Sequence, residues 1–169
     1  MEVPVYYADL RARQLIEQDE RIINGYKELF GEKAYAEGRL DRNFVAAKVF
    51  TDSSLLQRVN ELVHPIVRED FKQWIAIQKA DYIIQEAAIL LESGGYKAMD
   101  KVILVSAPID LRLSRVSRRD GVGQEKIKER IQNQWSDEQR RALCDYEVIA
   151  DDRHLVVPQV LNIHNELVE

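Results

Sequence analysis

Four short runs of β-branched and aromatic residues, each followed by a longer stretch whose apolar residues recur every three to four positions, fix what this chain can become. The runs are Val3–Tyr7, Tyr82–Gln85, Lys101–Ser106 and Tyr146–Ala150. Strand, helix, strand, helix in this order predicts a mostly parallel α/β sheet covered by helices. The two middle runs are apolar without alternation and are expected to be buried on both faces. After the first run, Asp9 precedes Leu10, Ala12, Leu15 and Ile16 at helical spacing. Gly31 to Gly38 reads as a loop. Asp52 and Ser53 form a helix cap ahead of Leu55, Leu56, Val59, Leu62 and Val63. Pro65 has no N–H for an intrahelical bond, so the pattern is split there, and Ile66, Val67, Phe71, Trp74 and Ile75 are assigned to a second helix with proline in its first turn. Pro108 and Asp110 open a helix reaching Arg119, and Gly121 and Gly123 interrupt it. A further helix over Glu125–Gln134 places Ile127 and Ile131 on one face, and Val156–Val168 closes the fold.

At 169 residues the chain is the size of one domain that buries its own core without disulfides or metals. Hydrophobic residues make up 46% and charged residues 31%, which excludes a disordered or low-complexity chain. A net charge of −5 argues against a nucleic-acid or anionic-membrane surface. Cys144 stands alone, which rules out an internal disulfide and suits a reducing compartment. No apolar run approaches the ~20 residues of a membrane helix, and no signal-type segment opens the sequence, so a cytoplasmic location is expected. His64, His154 and His164 show no ligand spacing with Cys144, so no protein-held metal is expected.

Five islands resemble the dephospho-CoA kinase family. They are Val3-Pro4-Val5-Tyr6-Tyr7-Ala8-Asp9 with Arg13; Gly38-Arg39-Leu40-Asp41-Arg42 with Val49-Phe50 and Asp52; His64-Pro65; Ile89-Leu90-Leu91-Glu92-Ser93-Gly94; and Arg115 to Arg119-Asp120 with Ile131, Gln134 and Asp145. Their order and spacing match the family along the chain, with Tyr7 standing where many members carry a further aspartate. The resemblance implies a three-layer P-loop NTPase fold of the nucleotide-kinase type. It also implies transfer of the ATP γ-phosphate to the ribose 3′-hydroxyl of dephospho-CoA, giving coenzyme A, with Mg²⁺ accompanying ATP. It further suggests one kinase domain: a core of about residues 1–52 and 80–111, an acceptor-side helical region of about 53–79, a lid of about 112–135, and a closing strand and helix over 145–169.

None of the seven glycines lies in a GxxxxGK[ST] loop, whose backbone N–H groups, lysine and hydroxyl hold the phosphates and Mg²⁺. The match begins after the family's first strand, phosphate loop and first helix. A chain so shortened, by a misassigned start or otherwise, is expected to be inactive by itself. In the family the missing strand runs between those at Tyr82–Gln85 and Lys101–Ser106. The readings kept beside this one are a non-catalytic paralogue binding a coenzyme A-like ligand or a partner, and another nucleotide or nucleoside kinase.

Asp9 ends a strand, where open α/β sheets place their ligands, although an aspartate before a helical run also serves as a cap. By resemblance it is the carboxylate that meets the acceptor hydroxyl and takes its proton. Arg112, Arg115 and Arg119 fall at i, i+3 and i+7 and share a helix face, with Arg130 on the next helix. Arginine forks bind phosphate oxygens, but surface arginines usually end in ion pairs, here with Asp110, Asp120 or Glu129. Resemblance favours a nucleotide role for Arg115 and a catalytic one for Arg119, with Arg119-Asp120 at the lid hinge. It places Arg140 near the nucleotide base and Arg13, His64, Glu92 and Gly94 on the dephospho-CoA side, Glu92 facing a cleft from a strand-to-loop junction. A histidine beside Val63 on an apolar helix face is otherwise an ordinary hydrogen-bonded core residue.

Overall fold

Parallel pairing between strands far apart in sequence organises both halves of the chain. The computed structural model describes residues 2–132 and 134–169, and the side chains of Phe50, Ser53 and Arg130 lie outside that description. The chain divides into two compact units, Met1–Ala88 and Ile89–Glu169.

In the first unit, β1 (Val5–Tyr7) pairs in parallel with β4 (Ile84–Glu86), Val5 opposite Ile84 and Tyr7 opposite Glu86. The chain passes from β1 directly into α1 (Ala8–Gln18) and then into α2 (Glu20–Phe30). Asp19 separates the two helices and caps the second, its carboxylate accepting the Arg21 N–H at 2.9 Å. The segment expected to be a loop is ordered. A 3-10 turn over Glu32–Ala34 leads into a hairpin of β2 (Tyr35–Ala36) and β3 (Arg39–Leu40). Its two central residues, Glu37 and Gly38, have φ of 52° and 77°, the doubly positive pair that a tight hairpin turn demands. Asp41 then caps α3 (Arg42–Thr51) through the Phe44 N–H at 2.9 Å.

Asp52 caps α4 as expected, accepting from the N–H groups of Ser54 and Leu55. The helix that follows runs unbroken over Ser53–Ala76, with Pro65 inside it. The expected break at Pro65 is therefore corrected. The missing hydrogen bond costs less than giving up a continuous apolar stripe, because Val63 and Ile66 on either side of Pro65 lie in one buried cluster with Leu15, Ile22, Tyr26, Ala34 and Val45. Tyr35 braces this cluster, its hydroxyl donating to the Ile16 carbonyl at 2.6 Å.

In the second unit, β5 (Ile103–Ser106) pairs in parallel with β6 (Tyr146–Ile149). The connection holds α5 (Ile109–Asp120), α6 (Gln124–Gln132) and the short α7 (Asp137–Arg141), which a reciprocal Ser136–Gln139 capping box opens. Gly121, at φ 65°, ends α5 in the left-handed conformation that glycine adopts without strain. α8 (Val156–Val168) closes the unit. Asp145 staples the start of the strand pair, accepting the Val102 N–H at 2.8 Å and the Lys101 ammonium at 3.0 Å.

The middle strands are not buried on both faces. In β5, Leu104 is 8% exposed while Val105 is 67% exposed, the alternation of a strand covered on one side. An apolar run is compatible with two covered faces but does not supply the second cover. Among the described residues β4 is paired only to β1, and β5 only to β6.

Candidate active site

Asp9 sits where a parallel strand delivers its chain into a helix. α1 starts at Ala8, one residue beyond β1, so the cap position belongs to Tyr7, whose side chain makes no cap bond. The expected role of Asp9 as the cap of a helix starting at Leu10 is corrected: it lies inside the first helical turn, where its charge favours the helix dipole. Its Oδ2 instead accepts the Ala88 N–H at 3.3 Å, just beyond β4. The register that sets Tyr7 opposite Glu86 brings these two chain ends together. Arg13 follows one turn later on α1 and is exposed.

His64 is half-buried on α4. Burial, with a smaller contribution from the charge of Arg68, pushes its imidazole below its ordinary range, so it is neutral at pH 7.

Sequence reasoning missed a part-buried network beside Asp9. The Tyr6 hydroxyl donates to Asp70 Oδ2 at 2.7 Å. Arg11 forks onto the same carboxylate, Nε to Oδ2 at 2.8 Å and Nη2 to Oδ1 at 2.7 Å. The Tyr6 ring, 3% exposed, packs at 4.8 Å on Phe71 and 5.4 Å on Trp74. Burial and the hydrogen bond to Asp70 hold the phenol far above its usual range, so it remains a donor. Nothing local in the sequence joins Arg11 to a residue 59 positions away.

In the second unit Glu92 and Arg140 meet. Glu92 lies in a turn rather than at a strand end. Its Oε1 accepts Arg140 Nη2 at 2.6 Å and Nε at 3.2 Å, and also the Trp135 N–H at 3.1 Å. The two side chains are only 16% and 13% exposed, so the expected cleft-facing carboxylate is instead a paired, largely covered one. Burial raises the Glu92 pKa, but the Arg140 fork and backbone N–H donors outweigh it, and the net shift is downward. Gly94, at φ 72°, supplies the left-handed residue before a 3-10 turn over Gly95–Ala98.

Three arginines of α5, Arg112, Arg115 and Arg119, find acceptors. Arg112 forks onto Asp137 at 3.1 and 2.8 Å. Arg115 donates to the Ala150 carbonyl at 2.7 Å and to Asp152 at 2.5 Å. Arg119 pairs with its neighbour Asp120 and is 74% exposed, a contact that water competes for readily. The Arg130 side chain lies outside the described residues. An open cavity of about 300 Å³ lies at the carboxyl ends of β5 and β6, lined by Ser106, Pro108, Ile109, Arg112, Asp137 and Asp151 among others.

Among the described residues no three His, Cys, Asp or Glu side chains converge to hold a metal ion. The sequence offers no GxxxxGK[ST] hydroxyl to Mg²⁺ either. Among the described residues no helix is long and apolar enough to cross a membrane.

The chain matches the dephospho-CoA kinase family profile over residues 1–156. It is 35% identical to a dephospho-CoA kinase of Bacteroides fragilis, over 96% of this chain and 80% of that protein. With the dephospho-CoA kinase of Porphyromonas gingivalis it shares 36% identity, over 95% and 80%. Among solved structures, TT1252 from Thermus thermophilus superposes with a TM-score of 0.89 at 27% identity, covering 99% of this chain and 86% of that one. The dephospho-CoA kinase from Campylobacter jejuni shares the fold at a TM-score of 0.67 and 20% identity, over the same shares. The α/β architecture is thus that of the P-loop NTPase kinases, and the chain belongs to the dephospho-CoA kinase family.

Proposed function

We propose that this chain carries the acceptor and lid portions of an enzyme that phosphorylates the ribose 3′-hydroxyl of dephospho-CoA, with ATP as donor substrate. The observation that carries this reading is the placement of Asp9: carboxyl end of β1, first turn of α1, carboxylate held by the Ala88 N–H and open to solvent. A carboxylate so placed orients an incoming hydroxyl and accepts its proton as the oxygen becomes a nucleophile. Family membership supports the substrate. Arg13 and His64 serve the acceptor side of the first unit, the neutral imidazole offering one donor and one acceptor.

In the second unit Arg119 is the catalytic arginine, its weak pair with Asp120 exchanged for phosphate oxygens, while Arg115 faces the nucleotide. Glu92 with Gly94 and Arg140 contribute to the dephospho-CoA and nucleotide-base sides from one shared ion pair. The domain plan is the one the resemblance implies, with α4 as the acceptor-side region and α5–α6 as the lid. The location follows the family's biosynthetic role and is cytoplasmic.

Phosphoryl transfer depends on preorganised donors, and losing a single one costs ~10²–10³ in rate. The 169 residues contain no phosphate loop, so by themselves they do not turn over. That same feature favours, as the second reading, a protein that binds the acceptor without reacting it.

An ATP- and dephospho-CoA-dependent assay, run on these residues and on a version preceded by a strand–GxxxxGK[ST]–helix segment, separates the two. Turnover by the extended protein alone, cut at least ~10²-fold by Asp9→Asn with acceptor affinity retained, is the expected result. Dephospho-CoA binding without turnover in either form moves the assignment to the second reading. Failure of both forms to bind dephospho-CoA overturns both.

A further inference from the structure

We infer that Asp70 is a positioning residue for Asp9, acting through Tyr6 and Arg11 from the facing helix α4. The inference rests on the role given to Asp9 above and names the part of the chain that aims it.

Asp9 lies between the two residues that Asp70 grips. Tyr6 is in β1 before the strand-to-helix junction, and Arg11 is in α1 after it. One carboxylate takes the Tyr6 hydroxyl and both arms of the Arg11 fork, at 2.7, 2.8 and 2.7 Å. A bidentate arginine pair fixes orientation as well as distance, which a single hydrogen bond does not. The Tyr6 ring is wedged against Phe71 and Trp74 of the same helix, so the strand end cannot rotate without opening a packed aromatic contact. With both flanks held, the backbone at Asp9 has one course, and its carboxylate is brought to the Ala88 N–H. A network needed only to hold α4 down would work equally well gripping any part of α1. This one grips the two sides of the junction that carries the reactive carboxylate.

The Ala88 amide reports on Asp9 without any turnover. In the ¹⁵N-labelled full chain at neutral pH, Asp9→Ala, which removes the acceptor oxygen altogether, should speed exchange of the Ala88 amide about three- to tenfold, the value of one modest hydrogen bond. Asp70→Asn should give the same acceleration and Tyr6→Phe a smaller one. The Ile84 amide, which donates to the Pro4 carbonyl at 2.9 Å in the same strand pair, should keep its rate. Tyr6→Phe removes a single hydroxyl from a packed ring and supplies the readout if Asp70→Asn fails to fold. Unchanged Ala88 exchange in the network variants, or equal acceleration of Ala88 and Ile84, overturns the inference and leaves the network a plain brace. Turnover of Asp9→Asn, measured separately in the extended protein, tests the role of Asp9 itself. An Asp9 that is aimed but not catalytic would show the exchange effect with turnover intact.

Discussion

At pH 7 the Asp70 carboxylate is ionised, and the Arg11 fork foremost, with the Tyr6 hydroxyl, holds its pKa below the ordinary value against the opposing effect of burial. A depressed carboxyl contributes stability that is complete above the unfolded-state pKa of about 3.9 and is lost as pH falls through the lower folded-state value. Urea unfolding followed from pH 7 to pH 3 should show this acid loss, and Asp70→Asn should flatten it while lowering stability at pH 7. A variant whose acid slope equals that of the parent would remove Asp70 from the account. His64 has the same sign, since a depressed imidazole favours the folded chain until acid charges it. At this scale the sequence was partly transparent. The place of Asp9 just beyond a strand could be read because it is positional, a carboxylate following an apolar run. The Tyr6–Asp70–Arg11 network could not, because its strength lies in angles between residues far apart in the chain. The pairing of Glu92 with Arg140, 48 positions apart, was hidden for the same reason.

Elements were read best where apolar periodicity was undisturbed. α8 has the limits predicted for it, and β5 and β6 differ from expectation only at their ends. The errors fell where a local rule met a tertiary demand. Pro65 signals a break by its own chemistry, yet packing on both sides of it keeps α4 whole across 24 residues. The hairpin of β2 and β3 escaped notice because two-residue strands carry no periodicity, and only the Glu37-Gly38 turn marks them. α4 therefore bears a cost it does not need for helicity. Pro65 is exposed, so Pro65→Ala restores an N–H toward the Glu61 carbonyl without disturbing the core. We expect it to raise stability by about 1–2 kcal/mol, part of the proline penalty having been relieved by local adjustment. Urea titration checks this, and a neutral or destabilising result would mean that Pro65 shapes the helix in a way the buried cluster requires.

For the molecule as a whole, a net charge of −5 on 169 residues gives repulsion between copies that is mild and easily screened by salt. Against it stand apolar side chains left in water in the second unit, among them Val105, Leu155 and Val157 at 67%, 78% and 68% exposure. Replacing Val105 with threonine, a β-branched residue suited to a strand, should lower binding of a hydrophobic dye and leave the unfolding midpoint nearly unchanged. A large fall in the midpoint would show that Val105 packs more than its exposure implies. The parallel pairs carry a related consequence. Beyond β4 and beyond β5, each strand presents a row of amide and carbonyl groups with no strand against it among the described residues. Such rows are adhesive, so dilution and ionic strength should govern how long a preparation stays clear, and light scattering belongs beside every assay of these 169 residues.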